Sequence, residues 1–253
     1  MIETKSLTKK FGNLAAVSEL NLQVNPGEIF VFLGANGAGK TTTIKMLTGL
    51  LRPTSGTATI AGFDVVKSTL DVKKIIGYLP DEPFLYNKLT GKEFLQFVAN
   101  MRGVQKKDRL DRFIDLFELS KSADELIEGY SLGMRKKIAI GAALIHDPKV
   151  LFLDEPTGGL DPKSAKTMKD LLLDIRQRGT TIFMTTHILE IAERMCDRVG
   201  IIDQGKLIRV GTMDELRKEA QSGSSLEDIF LELTGKTQDQ EIAQFLDDVT
   251  NHS

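Results

Sequence analysis

Residues Gly34, Ala35, Asn36, Gly37, Ala38, Gly39, Lys40, Thr41 and Thr42 carry the G-x-x-x-x-G-K-[ST] spacing of a loop that cradles phosphate. What constrains the fold is the setting of that loop. The apolar run Ile29-Phe-Val-Phe-Leu33 precedes it, and a helical pattern through Leu50 follows. An unbroken apolar run marks a strand buried on both faces, as parallel strands are. Strand, glycine loop and helix in that order predict an α/β chain with an anion site at the carboxyl edge of its sheet. The glycines remove Cβ atoms, so backbone N–H groups can turn onto phosphates, and the helix N-terminus adds partial positive charge. Lys40 is read as a solvent-facing contact for the β- and γ-phosphates, and Thr41 as a Mg²⁺ ligand. The loop implies a nucleoside triphosphate without saying what its energy is for.

Three later segments bear on that. Val150-Leu-Phe-Leu-Asp154-Glu155 is a second apolar run, ending in two acids. It predicts a buried parallel strand that delivers Asp154 to Mg²⁺ and Glu155 to an attacking water. Ser131 opens a helical pattern that runs to about Ile145, and a serine-capped helix start suits an anion. Read locally, it is also an ordinary capped helix. His187 follows the strand-like run Thr181-Ile-Phe-Met184, at a polar tip able to place an imidazole beside a phosphate; a lone histidine there is as readily structural.

The order of these segments, completed by Gly158-Gly159-Leu160-Asp161, resembles the ATP-binding cassette (ABC) ATPases over about residues 1–220. The resemblance implies a P-loop NTPase of ABC type. Its RecA-like core spans 1–79 and 146–220, with an antiparallel β subdomain and a helical subdomain inserted at about 80–145. A short helical extension covers 221–253. It further implies ATP and Mg²⁺ as ligands and a head-to-tail pair of cassettes. Ser131, Leu132 and Gly133 of one would face the ATP on the phosphate loop of the other, with Asp161 in the loop at their interface. Glu155 and His187 take the catalytic roles, and Phe11 lies where the family stacks an aromatic ring on adenine, though a core position reads equally well.

Two departures from the family pattern stand out. The signature, usually Leu-Ser-Gly-Gly-Gln, here reads Tyr130-Ser-Leu-Gly-Met134, a form similar to the cassettes of multi-subunit exporters for drugs, lipids and peptides. Asp81 stands where many cassettes carry a metal-sensing glutamine, with Glu82 beside it as the alternative. A carboxylate ligates Mg²⁺ as an amide oxygen does, but carries charge.

Composition agrees with this reading. A net charge of −2 gives no electrostatic case for a nucleic-acid partner. The single cysteine, Cys196, excludes an internal disulfide and fits a reducing compartment. No apolar run approaches the ~20 residues of a membrane span, so transmembrane permease subunits are expected on other chains, with this one peripheral on the cytoplasmic face of the membrane. A soluble ABC ATPase of translation or DNA repair is the alternative. It conflicts with the single phosphate loop and the missing heptads. A small-molecule P-loop kinase conflicts with the signature helix, Asp161 and His187.

Smaller expectations complete the reading. Residues 1 to about 30 form short strands with a turn at Asn25-Pro-Gly-Glu28. Thr90 and Glu93 form a capping box, followed by a core stripe of Phe94, Phe97, Val98 and Met101. Leu110, Phe113, Ile114 and Phe117 form a second stripe. Phe84, Leu85 and Tyr86 either fill a local core or dock the membrane partner. In the tail, Gln221–Ser225 reads as a linker, Ser225 caps a short helix ending near Gly235, and Ile242, Phe245, Leu246 and Val249 give an amphipathic pattern.

Overall fold

The computed structural model describes residues 1–104, 107–219 and 226–234. Two sheets organise it. Strands β1 (Ile2–Phe11), β2 (Leu14–Val24), β4 (Ser55–Ile60) and β5 (Phe63–Asp64) form an antiparallel sheet in the order β2-β1-β4-β5. The second sheet runs β10-β9-β3-β8-β7-β6 and comprises β3 (Ile29–Leu33), β6 (Ile76–Leu79), β7 (Val150–Asp154), β8 (Thr181–Thr186), β9 (Arg198–Asp203) and β10 (Lys206–Gly211). Its members pair in parallel except β10, which closes the expected hairpin with β9.

The two faces of the parallel sheet explain its unbroken apolar runs. In β3, Phe30 and Phe32 point toward the antiparallel sheet and helix α1 (Lys40–Leu47), while Ile29, Val31 and Leu33 point toward the helices on the other side. Phe152 and Phe183 of β7 and β8 join the first face, and Phe30 stacks on Phe183 at 5.5 Å between ring centroids. Every residue of β3 and β7 is buried, so each position removes apolar surface from water at roughly 25 cal/mol per Å².

The first thirty residues differ from the expected short strands. β1 and β2 are long, paired from Ile2↔Val24 to Phe11↔Leu14, with register shifts beside Ser6 and Glu19, both at positive φ. Alternation of buried and exposed residues breaks at those irregularities, which made continuous strands look like several. Helix α1 stops at Leu47, short of Leu50. Gly49, at φ +69°, turns the chain, and the Leu50 N–H bonds back to the Lys45 carbonyl.

Between β6 and β7 the chain is mainly helical: α3 (Gly91–Met101), α4 (Lys107–Leu116) and α5 (Leu132–Leu144), with α2 (Thr69–Ile75) just before β6. The Thr90–Glu93 capping box is present in both directions. Leu110, Ile114 and Phe117 are buried and Phe113 packs against the same core, as the second stripe predicts. The first stripe is offset. Phe94, Leu95 and Ala99 face the core, whereas Phe97 is partly exposed, edge-on to Tyr86, and Met101 in the last turn is exposed. The buried face of α3 is centred one residue beyond the predicted line.

Helix α6 (Pro162–Gln177) begins with Pro162 at N1 and is followed by Gly179 at φ +96°. Cys196 caps α7 (Leu189–Met195), and burial pushes its thiol up to about 11. Helix α9 (Leu226–Thr234) follows α8 (Met213–Glu219) and anchors Leu226 and Ile229 in the main core. Its length agrees with the predicted tail helix. Ser225, the 221–225 linker and the 242–249 pattern lie outside the described residues.

Candidate functional site

The cleft at the carboxyl edge of the parallel sheet has a volume of about 190 Å³ and gathers Asn36, Gly37, Lys40, Thr41, Asp81, Asp154 and Glu155, from three segments distant in sequence. Two glycines make its loop possible. A Cβ on Gly34 would meet the Ile202 carbonyl at 2.5 Å, and one on Gly39 would meet the Ala16 carbonyl at 2.5 Å. Gly39 also sits at φ +105°, where L side chains are strained. The hydrophobic Ala38 is tucked into the core, so the loop is pinned from beneath.

Lys40 departs from expectation. It is 6 % exposed, folded inward, with Nζ donating to the Gly34 carbonyl at 2.7 Å and the Ala35 carbonyl at 3.1 Å. Glu155 Oε1 lies 3.9 Å away. Desolvation lowers the Lys40 pKa, while Glu155, Asp154 and Asp81 act in the opposite direction. An ammonium that bonds directly only to neutral carbonyls, with Glu155 at longer range, can turn to an incoming polyanion. Thr41, by contrast, is exposed at the helix start.

β7 and β8 deliver the acids. Asp154 is 2 % exposed and accepts a hydrogen bond from the Thr185 hydroxyl at 2.5 Å. Glu155, the residue after the strand, adopts φ +47°, a left-handed backbone that swings its side chain away from Asp154's direction. Its Oε1 lies 2.9 Å from His187 Nδ1 and its Oε2 accepts from the Thr186 hydroxyl at 3.2 Å. His187 is thus tied to the candidate base, at the exposed end of β8, as its position after that strand suggests. The donor set fits a hard cation bound jointly with phosphates: one buried carboxylate, an exposed threonine hydroxyl and a second acid at the rim. Among the described residues no group of three or more His, Cys, Asp or Glu is placed to hold a metal ion by itself.

Other predicted residues lie elsewhere. Ser131 caps α5, accepting from the Met134 N–H at 3.3 Å, and with Leu132 it is exposed and outside the cleft. Gly133 faces the Gly159 carbonyl, which a Cβ there would approach to 2.9 Å. Asp161 caps α6, bonded to the Ser164 N–H at 2.9 Å and the Ser164 hydroxyl at 2.5 Å. These bonds hold its carboxyl down to about 2. Phe11 is half-exposed at the end of β1, with Lys9 Nζ 5.1 Å from its ring centroid, which removes the core alternative but leaves it outside the cleft lining. Glu82 is exposed and lines no part of the cleft, unlike Asp81. Phe84 is 94 % exposed and Tyr86 57 %, while Leu85 between them is buried.

Sequence reasoning missed two contributors. Ala16 lines the cleft from β2, and nothing in its identity signals that. Lys136, with a wholly buried side chain, donates to Asp81 Oδ1 at 2.8 Å and to the Glu155 carbonyl at 2.9 Å. Its helical phase was the available signal: it stands three and four positions before Ala139 and Ile140, on the face those two bury.

The family described as ABC transporter matches residues 17–158. The bacitracin transport ATP-binding protein BcrA of Bacillus licheniformis is 42 % identical over 219 residues, which cover 86 % of this chain and 72 % of BcrA. The probable multidrug ABC transporter ATP-binding protein YbhF of Escherichia coli is 39 % identical over 240 residues, 92 % of this chain but 41 % of YbhF. Among solved structures, an ATP-binding subunit of an ABC transporter superposes with a TM-score of 0.87 at 31 % identity, covering 92 % of this chain and 99 % of that one. The dimeric MJ0796 cassette in its post-hydrolysis state with ADP and Pi gives 0.77 at 25 % identity, covering 84 % and 99 %. With the phosphate loop, the paired acids and the capped signature helix in place, the chain belongs to the ABC transporter family and is an ATP-binding, ATP-hydrolysing cassette of it.

Proposed function

We propose that this cassette pairs head to tail with a second copy or close homologue and energises export through transmembrane subunits carried on other chains. One observation carries the pairing. Ser131 and Leu132 are exposed at the N-terminus of a thirteen-residue helix, apart from the cleft that holds Lys40, Asp154 and Glu155. A helix start with no anion of its own chain is the half-site that another chain's nucleotide would complete. Export is the direction supported by the printed names of the relatives, bacitracin transport and probable multidrug proteins. Those names also speak against a translation or repair role.

In the proposed mechanism, backbone N–H groups of 34–42 and the Lys40 ammonium bind the phosphates. Thr41 and Asp154, with Asp81 at the rim, would hold Mg²⁺, which would supply charge neutralisation to the phosphates. Glu155 orients a water and accepts its proton, and His187 fixes the Glu155 carboxylate and stays close to the reacting phosphate. Such positioning and charge stabilisation are what phosphoryl transfer needs. Residues 1–79 and 146–220 act as the nucleotide core and 80–145 as the inserted helical part. No helix among the described residues is long and apolar enough to cross a membrane. The relatives' printed role as transport ATP-binding proteins supports a peripheral place on the cytoplasmic membrane face.

The test is sedimentation of the Glu155→Gln chain with ATP and Mg²⁺. A nucleotide-dependent dimer is expected; a monomer at saturating ATP, with nucleotide bound, counts against head-to-tail pairing.

A further inference from the structure

Lys136 is the one lysine among the described residues whose side chain is wholly buried while it bonds to groups of the catalytic edge. It stands on the second turn of α5. Its Nζ reaches Asp81 Oδ1 at 2.8 Å and the Glu155 carbonyl at 2.9 Å. The same Glu155 carbonyl accepts from the Gly158 N–H at 3.2 Å. Asp81 lies between two environments: Lys136 behind it, and in front the cleft with Lys40, Asp154 and Glu155, onto which its 55 % exposed side chain opens. The cleft therefore has three carboxylates against two ammonium groups, one of which does not itself line it.

We propose that Lys136 is a positioning residue that competes with Mg²⁺ for Asp81. Its fixed ammonium neutralises the rim carboxylate when no metal is bound. The cleft can then admit a polyanionic nucleotide, and Asp81 is only partly available to the metal. Because the same Nζ grips the Glu155 peptide, the state of Asp81 is transmitted to the backbone that carries the candidate base. An amide at position 81 would need no such counter-charge, so the buried lysine and the acid form one functional unit. The inference rests on reading Asp81 as metal-facing, and deepens that reading.

The expected signature is a change in metal dependence. Removing the ammonium should weaken binding of metal-free nucleotide and free Asp81 for Mg²⁺. The ratio of Kd in EDTA to Kd in excess Mg²⁺ should then rise. The chain has no tryptophan, so a methylanthraniloyl ATP analogue read by its own fluorescence gives a clean signal. Lys136→Met should raise the ratio by about fivefold or more, the scale of one unit charge near a partly buried site. Lys136→Arg should hold it within about twofold of wild type, because charge and donor persist. The double variant Asp81→Asn with Lys136→Met should bring the ratio back toward or below wild type.

A merely structural lysine would lower the melting temperature and weaken both Kd values alike, leaving the ratio unmoved. Should the Met variant fail to fold, Lys136→Gln, which keeps a donor without charge, carries the same expectation. A ratio unchanged in the folded variant overturns the proposal, as does loss of folding in both Met and Gln variants. A wild-type chain that binds no nucleotide in either buffer overturns the site reading beneath it, and the proposal with it.

Discussion

At the scale of single residues, the site is defined by carboxylates kept apart by backbone geometry. Asp154 is buried on its strand and Glu155, by its left-handed φ, turns to His187 and Thr186. Glu155→Gln keeps size and loses basicity, so turnover should fall about 100-fold or more with nucleotide affinity retained, as for loss of a general base. Steady-state phosphate release with parallel binding measurements checks this; turnover near wild type would remove Glu155 from that role. Lys40→Ala removes a desolvated ammonium and leaves two carbonyls that water can reach, so its melting temperature should change little while nucleotide affinity drops by about tenfold or more. Calorimetric titration and a thermal melt separate the two effects. Lys40 itself shows what sequence cannot convey: its motif names its partner but not its conformation, in which the ammonium bonds to the loop's own Gly34 and Ala35 carbonyls.

At the scale of elements, caps and registers decide. The Thr90–Glu93 box satisfies two N–H donors at the start of α3, and Thr90→Ala should cost about 1 kcal/mol, lowering the melting temperature by roughly 2–4 °C. An unchanged melt would show the box to be redundant. The Asp161 cap of α6 has the opposite test, in pH. Its folded carboxyl is depressed to about 2, so its contribution is full above the ordinary carboxylate range and disappears as pH falls through about 2. The stability gap between wild type and Asp161→Ala should therefore persist at neutral pH and close in strong acid, measured by denaturant titration at each pH. These caps were legible because side-chain chemistry and spacing are local. The β1–β2 register, the offset of α3 and the inward reach of Lys136 were not. Each depends on an element that arrives from far along the chain, as when Asp81 and Lys136 meet across 55 positions.

At the scale of the whole molecule, the segments that bind nucleotide and those that face outward are distinct surfaces. A groove of about 320 Å³ lined by Leu50, Tyr78, Pro83, Phe84 and Ala142 lies beside the exposed Tyr86. Exposed apolar surface of this kind marks an interaction site. Leu85 holds the segment to the core while its two neighbours present rings to solvent, so the choice between local core and docking surface divides residue by residue. Aspartate at both Phe84 and Tyr86 should leave the isolated cassette's melt and ATP turnover within about twofold of wild type, since neither residue is buried, yet abolish co-purification with its membrane partner. Full assembly after both substitutions would assign the groove another purpose. Ser131→Arg should prevent ATP-driven dimerisation and spare nucleotide binding by the monomer. An equal loss of both would mean that the site belongs to one chain. The overall architecture was legible from five motifs in order, because the phosphate loop, the Asp154–Glu155 pair and His187 each end a strand whose apolar run is readable, and the other two open capped helices. Which exposed apolar side chains are satisfied by packing was not, because that depends on neighbours the sequence does not place.

The partial burial of Cys196 has a practical consequence. A thiol whose pKa is pushed to about 11 is almost wholly protonated at neutral pH and poorly nucleophilic, and it is the sole cysteine of a chain with no tryptophan. The native protein therefore has no indole emission and a single, weakly nucleophilic thiol. A single cysteine introduced at an exposed position away from the nucleotide sites, such as Leu70, would be the dominant target for a maleimide dye, and a single tryptophan the dominant emitter. Distances between two copies could then be followed during turnover without first stripping the protein of its own reactive groups.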